Sequence, residues 1–462
     1  MFNAEIYTER RNRLKKNIKS GLVLLLANNE SSMNYSANTY HYRQDSNFLY
    51  FYGIDLPGLV GIIDIDSGND YLYGNNIDID DIIWMGKQPT IDELAAKSGI
   101  KNTASLSKLT EVINSAIKQG KIIHFLPPYR ADNKLYLESL LGIHPSRQKE
   151  YSSVELIKAI VALRSIKDRY EIAEIEKAAE VGYNMHYTAM KMAKPGIFER
   201  EIAGIIEGIC LSEGGSVSFP VILSINGEIL HNHNHGNLLK DGDLLICDAG
   251  AETSMHYASD FTRTFPVNGK FTQKQKEIYE IVLNANNAAR EASKPNITYQ
   301  SVHLTASKVI ASGLKEIGLM KGDIDEAVKQ GAHCLFFPHG LGHMMGLDVH
   351  DMEDMGEDYV GYDDEIKRIN QFGTAYLRLG RKLQPNFVIT NEPGIYFIPA
   401  LIDLWKKENK FTEFINYSKI ENYMDFGGIR IEDDILITET GSKIIGKRLP
   451  ATVQEIEETM KK

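Results

Sequence analysis

Cysteine is scarce in this 462-residue chain, which holds only Cys210, Cys247 and Cys334. They are odd in number, far apart and free of any Cys-x-x-Cys pair. That argues against a disulfide framework or a thiolate metal site and for reduced thiols in the cytoplasm. Basic residues are also in deficit: 51 Lys and Arg stand against 62 Asp and Glu, a formal charge of −11 and a pI near 5.7. With no basic stripe, nucleic acid and anionic membrane are poor candidates for the main partner. Long hydrophobic runs are missing too. The longest near the N-terminus, residues 22–27, is far short of a membrane span and no small-residue cleavage site follows it. It reads as a core strand of an unprocessed chain. Prolines number only 14, among 43% apolar and 24% charged residues, the balance of a globular protein. At this length two or three domains are expected.

Residues 1 to about 150 alternate short apolar runs with turn residues. Strands are expected at 22–27, 59–65, 70–73 and 122–126, and helices at 7–18 and 90–98, an α/β domain. Within it, Tyr42-Arg43-Gln44-Asp45-Ser46-Asn47-Phe48 is a polar cluster in an aromatic run. Arg43 and Asp45 read as partly buried structural charges more readily than as a site. The texture changes near Ser153, and the boundary is set at 155/156. Asp168 with Glu171 is a capping signal opening a long helix, with Ile172, Ile175, Ala179, Gly182, His186 and Ala189 on one face, ended by Lys194-Pro195-Gly196. A hundred residues on the pattern returns: a helix opened by Thr272 and Gln275 ends at Ser293-Lys294-Pro295-Asn296-Ile297, and another follows. Helix, Lys-Pro-x-Ile, helix, each time followed by strand-like segments, reads as a duplicated α/β unit with helices outside two half-sheets.

The stretch that organises the chain is Pro338-His339-Gly340-Leu341-Gly342-His343-Met344-Met345-Gly346-Leu347-Asp348-Val349-His350-Asp351. Spacings of four and seven between its histidines would suit a helix face, but Gly340, Gly342 and Gly346 argue for a loop passing close to something and gathering imidazoles at one spot. Acidic residues sit in strand-like contexts on both sides. Asp248 ends the apolar Leu244-Leu245-Ile246-Cys247 run. Asp260 lies in a plausible strand from Tyr257 to Phe265, and a hairpin centred near Ser254 would set it roughly opposite Asp248. Glu392 follows Phe387-Val388-Ile389. In Gly428-Ile429-Arg430-Ile431-Glu432-Asp433, alternation puts Arg430 and Glu432 on one face. An acid at the apolar end of a strand is costly unless paired or bound to metal. Four of them with one imidazole would be neutralised by two divalent cations, and a hard-oxygen set suits Mn²⁺ or Co²⁺ better than structural zinc. Two ions about 3.5–4 Å apart could hold a hydroxide nucleophile and polarise a carbonyl.

These motifs resemble the pita-bread metallopeptidases, specifically the aminopeptidase P and prolidase branch. The matches are Asp-Ala-Gly at 248–250, Ala-Ser-Asp at 258–260, His-Gly-Leu-Gly-His at 339–343, Val-His-Asp at 349–351, Glu-Pro-Gly-Ile-Tyr at 392–396 and Gly-Ile-Arg-Ile-Glu-Asp at 428–433. The resemblance implies an α/β (α+β) fold: a creatinase-like N-terminal α/β domain at 1–155 and a pseudo-two-fold pita-bread catalytic domain at 156–462. It makes Asp248, Asp260, His343, Glu392 and Glu432 the ligands of two divalent metal ions, most readily Mn²⁺, with Co²⁺ or Zn²⁺ as alternatives. Asp260 and Glu432 would bridge the ions, and Glu392 would also serve as general acid or base. His350 would hydrogen-bond the substrate carbonyl or the oxyanion. His339 and His231 would line the pocket for proline, and Arg430 would organise the ligands.

Two departures stand out. The Asp248–Asp260 loop is one residue longer than the family usual. The run His231-Asn232-His233-Asn234-His235 carries extra histidines, and His233 and His235 read as surface residues. Between Asp351 and Glu392 lies a long insertion holding Leu377-Arg378-Leu379-Gly380-Arg381. Aminopeptidases P of bacteria are typically short here. Prolidases are long and place an arginine, matching Arg378, against the substrate's C-terminal carboxylate, a task suited to a guanidinium fork. The expected function is hydrolysis of the bond between an N-terminal residue and a following proline, read first as a prolidase acting on dipeptides. The alternatives are an aminopeptidase P acting on longer peptides, a metal-free creatinase type that the full ligand set opposes, and an inactive pita-bread binding module. The family implies a homodimer.

Overall fold

The computed structural model describes residues 1–461. They form two compact units, Met1–Arg164 with Glu353–Tyr359, and Ser165–Met352 with the chain from Val360 onward. In the first unit a mixed five-stranded sheet is built from β1 (Leu22–Leu26), β2 (Val60–Asp64), β3 (Asp70–Tyr73), β4 (Asn102–Ala104) and β5 (Ile123–His124), in the order β4-β3-β2-β1-β5. Four of these lie where apolar runs predict strands; Asn102–Ala104 is too short and polar to show. Leu22, Leu24, Val60 and Ile62 pack with Leu109, Ile113, Leu137 and Leu140 in one buried cluster. Asp45 caps the helix Ser46–Tyr52, its Oδ1 accepting from the N–H groups of Asn47 and Phe48 at 2.9 Å each. Arg43 reaches the Ser46 hydroxyl at 3.1 Å. Both charges organise this turn.

The second unit carries the repeated pattern. Helix α1 (Arg169–Met192) has Asp168 as its cap, with the reciprocal Glu171 bond, and α2 (Glu199–Ser212) follows. Helix α3 (Gln273–Ala292) has the same box from Thr272 and Gln275, and α4 (Tyr299–Glu316) follows. Both linkers turn through a left-handed residue after Lys-Pro, Gly196 at φ 92° and Asn296 at φ 66°. Those are the residue types that tolerate this conformation, so the likeness of the two linkers is physical as well as textual. After the first helix pair comes an antiparallel sheet of β6 (Ile222–Ser224), β7 (Leu244–Ala249) and β8 (Phe261–Pro266), with β7 central. After the second comes β9 (Val388–Asn391), β12 (Asp433–Ile437) and β13 (Ser442–Ile444), with β12 central. A further pair, β10 (Gly394–Tyr396) and β11 (Gly428–Arg430), lies between β9 and β12 in sequence. A bridge from Thr262 to Glu432 ties the first sheet to the second. Among the described residues no helix is long and apolar enough to cross a membrane.

The glycine-spaced histidine segment is not helical. It zips along β9 through Glu392 N–H to Leu341 O (2.8 Å), Thr390 N–H to His343 O (3.0 Å) and Met345 N–H to Val388 O (3.0 Å). Gly342 permits this approach, since a Cβ there would lie 2.2 Å from the Thr390 carbonyl oxygen. The segment's far end is pinned by an ion pair between Lys167 Nζ and Asp351 Oδ2 at 2.7 Å, each side chain 1% exposed. Gly346 leaves the room, because a Cβ there would sit 2.7 Å from Asp351 Oδ2 and 2.9 Å from Lys167 Nζ. Removing one member of such a buried pair takes away the other's close counter-charge, at a cost of about 3–5 kcal/mol. Lys167→Met is therefore expected to lower the melting temperature by roughly 10 °C. A shift below about 2 °C would show that the pair does not hold this segment.

Candidate metal centre

Asp248 is buried near the end of β7, and its Oδ2 accepts from Arg430 Nη2 at 2.5 Å. The β7–β8 register pairs Asp248 with Thr262 and Ala249 with Phe261. Asp260 therefore stands two positions from the residue facing Asp248, and the expectation that the two aspartates lie opposite each other is corrected. The hairpin closes about Met255 rather than Ser254, through a loop that includes His256 at φ 65°. At Gly250 a Cβ would fall 1.8 Å from the Ser259 carbonyl oxygen, so the chain pinches there. A shift of two keeps Asp248, Thr262 and Asp260 on one face, with the aspartates as diagonal neighbours.

Glu432 is brought to that face by its N–H bond to Thr262 O at 3.0 Å. The Thr262 hydroxyl donates to Glu432 Oε2 at 2.7 Å and accepts from Arg430 Nε at 3.2 Å. His343 donates its Nδ1 proton to the Met344 carbonyl at 3.0 Å, since a carbonyl can only accept. Its Nε2 is left as a lone pair 3.6 Å from both Asp260 Oδ2 and Glu392 Oε1. Asp260, His343 and Glu432 each offer a ligand atom, all within 4.8 Å of one another. Glu392 joins this group through His343, and Asp248 borders it across Arg430.

Burial is the largest influence on these acids. It raises Asp260 and Glu432 well above the ordinary carboxyl range, with repulsion from neighbouring carboxylates adding to the effect. It raises Glu392 to about 8, opposed by the Arg430 charge and reinforced by Asp260 and Asp248. The buried oxygens Asp248 Oδ1 and Asp260 Oδ1 accept no hydrogen bond. Orphaned oxygens, crowded carboxylates and an imidazole nitrogen without its proton together fit hard divalent cations.

The remaining expected residues surround this group. His339 donates from Nδ1 to the Gly340 carbonyl (2.8 Å), and its Nε2 accepts from the Tyr396 hydroxyl (2.9 Å), which in turn accepts from Arg430 Nη1 (2.7 Å). Burial first, then the Arg430 charge, lowers His339 to about 3, so its ring is neutral. The His350 ring lies 4.2 Å from that of His343. His231 is lowered by partial desolvation and by Arg430, with Asp248, Arg378 and His350 also in electrostatic reach. Half-buried Arg378 also acts on Glu392. His233 is exposed, and half-buried His235 donates to the Leu223 carbonyl at 3.0 Å.

Sequence reasoning missed Thr262, Tyr396 and Asp434. Asp434 Oδ2 accepts the Asp260 N–H at 2.9 Å, its Oδ1 is buried without a hydrogen bond, and burial raises the group far above the carboxyl range. The run Glu432-Asp433-Asp434 at the start of a buried strand was the available signal. Nothing local marked Thr262, because its role depends on the distant Glu432 and Arg430 that its hydroxyl joins.

The model of metallopeptidase family M24 matches residues 173–439, and that of the aminopeptidase P N-terminal domain matches residues 7–124. Among curated proteins, human Xaa-Pro dipeptidase is 31% identical over 97% of this chain and 91% of its own length. A probable Xaa-Pro aminopeptidase of Fusarium vanettenii is 34% identical over 90% of this chain and 86% of its own. Among solved structures, Escherichia coli aminopeptidase P with the inhibitor Pro-Leu is 30% identical, with TM-score 0.81, covering 99% of this chain and 98% of that one. With pita-bread catalytic motifs on a mixed α/β scaffold and these matches along its length, the chain belongs to metallopeptidase family M24.

Proposed function

We propose that this protein is an Xaa-Pro dipeptidase, a metal-dependent hydrolase that splits the bond between an N-terminal residue and a C-terminal proline. The observation that carries the reading is a guanidinium, Arg378, in electrostatic reach of Glu392 and His231, beside four carboxylates and the Nε2 of His343, which lies 3.6 Å from Glu392 Oε1. Asp248, Asp260, His343, Glu392 and Glu432 would hold two divalent ions. The oxygen-rich donor set favours Mn²⁺, then Co²⁺ or Zn²⁺. When bound, such ions supply Lewis-acid polarisation of the scissile carbonyl and acidify the attacking water.

The chain's own residues do the rest. Glu392 takes the proton of the attacking water and returns it to the proline nitrogen as the bond breaks. His350 donates to the developing oxyanion. His339, kept neutral, and His231 line the proline pocket. Arg378 grips the C-terminal carboxylate, where a fork of donors gives both charge and direction. Arg430 holds Asp248 and Tyr396 in place. We extend the reading to a creatinase-like domain at 1–155 with the catalytic domain at 156–462, to a cytoplasmic location in keeping with three buried free thiols, and to a homodimer. Exposed Ile79, Ile83, Trp84 and Met85 on one short helix offer an apolar surface that self-association would cover.

Two experiments test the proposal. With Mn²⁺ added, Ala-Pro should be cleaved at least about tenfold faster, by kcat/KM, than Ala-Pro-Ala. Preference for the tripeptide would make the protein an aminopeptidase P, and cleavage of neither by metal-loaded protein would sink the Xaa-Pro reading.

The second concerns pH. In the metal-free protein the folded state holds Glu392 protonated up to about 8, whereas an unfolded glutamate loses its proton near 4.3. The folded state therefore binds the extra proton, and stability must fall as pH rises from 7 through about 8. Metal binding should expel that proton and abolish the fall. Melting temperatures at pH 7 and 8.5, with and without Mn²⁺, read this directly. A metal-free melting temperature that holds or rises over this interval would refute the charge balance described here.

A further inference from the structure

We infer that Gly361 and Tyr362 form a positioning cradle for Arg378, so that recognition of the substrate carboxylate depends on a residue pair that does not touch the substrate. The inference rests on the reading of Arg378 as the carboxylate clamp. Leu377 and Leu379 are fully buried while Arg378 between them is half-buried, and the Arg378 charge reaches Glu392 and His231.

That aim depends on the backbone from 377 to 381, which belongs to no strand and is held by other groups. The buried Tyr362 hydroxyl donates to the Leu377 carbonyl at 2.7 Å, just before Arg378. The N–H groups of Gly380 and Arg381 both donate to the Gly361 carbonyl at 2.8 Å, just after it. Gly361 lies so close to Arg378 that a Cβ on it would fall 1.7 Å from the Arg378 carbonyl oxygen, and a Cβ on Gly380 would fall 2.4 Å from the Tyr362 ring. Arg368 spans the rim, its Nη1 donating to the Ala375 carbonyl at 2.7 Å with its guanidinium 5.0 Å from the Tyr362 ring centre. On the other side Gly340, next to His339, backs directly onto the Leu377 Cα.

A long arginine can present its planar fork in two-point fashion only if its backbone is fixed, and a misplacement of about 1 Å can cost two orders of magnitude. The cradle supplies that fixation on both sides of one residue.

The test compares Ala-Pro with Ala-Pro-amide, which lacks the carboxylate, on the wild type and on Arg378→Met, Tyr362→Phe and Gly361→Ala, with bound metal measured for each. Arg378→Met should bring the dipeptide-to-amide ratio of kcat/KM close to one. Tyr362→Phe, which removes one hydroxyl, and Gly361→Ala, which must push the Arg378 carbonyl away, should each lower the ratio about tenfold. The loss should appear in KM for Ala-Pro and not in kcat, with metal content unchanged. If Arg378→Met collapses the ratio while Tyr362→Phe and Gly361→Ala keep it within about twofold, the cradle is wrong and the clamp stands. If Arg378→Met keeps the ratio, the clamp reading fails and the cradle falls with it.

Discussion

Mutual repulsion among buried carboxylates is the constraint on which the rest of this structure depends. Asp248, Asp260 and Glu432 are each less than 10% exposed and Glu392 stands against them, while the buried guanidinium in direct contact with this group is that of Arg430. One positive charge cannot balance four negative ones in a dry pocket, where an uncompensated ion costs several kcal/mol. The remainder must come from protons or from cations. The raised carboxyl pKa values describe the proton solution, and the orphaned oxygens of Asp248 and Asp260 describe what a cation would find. Arg430 is placed to serve both states. It touches Asp248 directly, reaches Glu432 through the Thr262 hydroxyl and reaches His339 through Tyr396.

The histidines are prepared by one device used twice. His339 and His343 each give the Nδ1 proton to the carbonyl of the following residue, Gly340 and Met344 respectively. That choice leaves Nε2 of both rings as the acceptor nitrogen. In His343 the lone pair faces Asp260 and Glu392; in His339 it accepts from Tyr396. A backbone carbonyl cannot titrate, so it fixes the tautomer regardless of pH. The glycines of the segment make this possible, because only a chain this bare can lie against β9 and against Leu377 at once.

What was legible in the sequence follows the same physics. The capping boxes of α1 and α3, the two Lys-Pro turns and the acids at strand ends are local signals, and the structure has them where the residues indicate. The opposite placement of Asp248 and Asp260 failed because strand register is decided by the pinch at Gly250, which a count of loop residues does not reveal. Thr262 was invisible for a related reason, since it matters through Glu432, about 170 residues away, and Asp434, although marked by its acidic run, had a role set by the equally distant Asp260. The segment Glu353–Tyr359 grouping with the first unit is equally non-local. Arg378 could be named from the sequence, but what holds it could not, since its brackets come from a glycine and a tyrosine with no motif of their own.

The duplication itself explains why the two halves contribute different acids. In the first half the register sets Asp248 against Thr262, so its aspartates are diagonal neighbours. In the second half Asn391 pairs with Asp433, so the next residues outward, Glu392 and Glu432, are in opposing positions just past the end of the ladder. Both leave the β9–β12 ladder and are held by other segments instead, Glu392 by its N–H bond to Leu341 O and Glu432 by its bridge to Thr262. A repeated α/β unit thus yields an asymmetric site through a shift in strand register, with Thr262 and Glu432 bridging the two sheets where the acids converge.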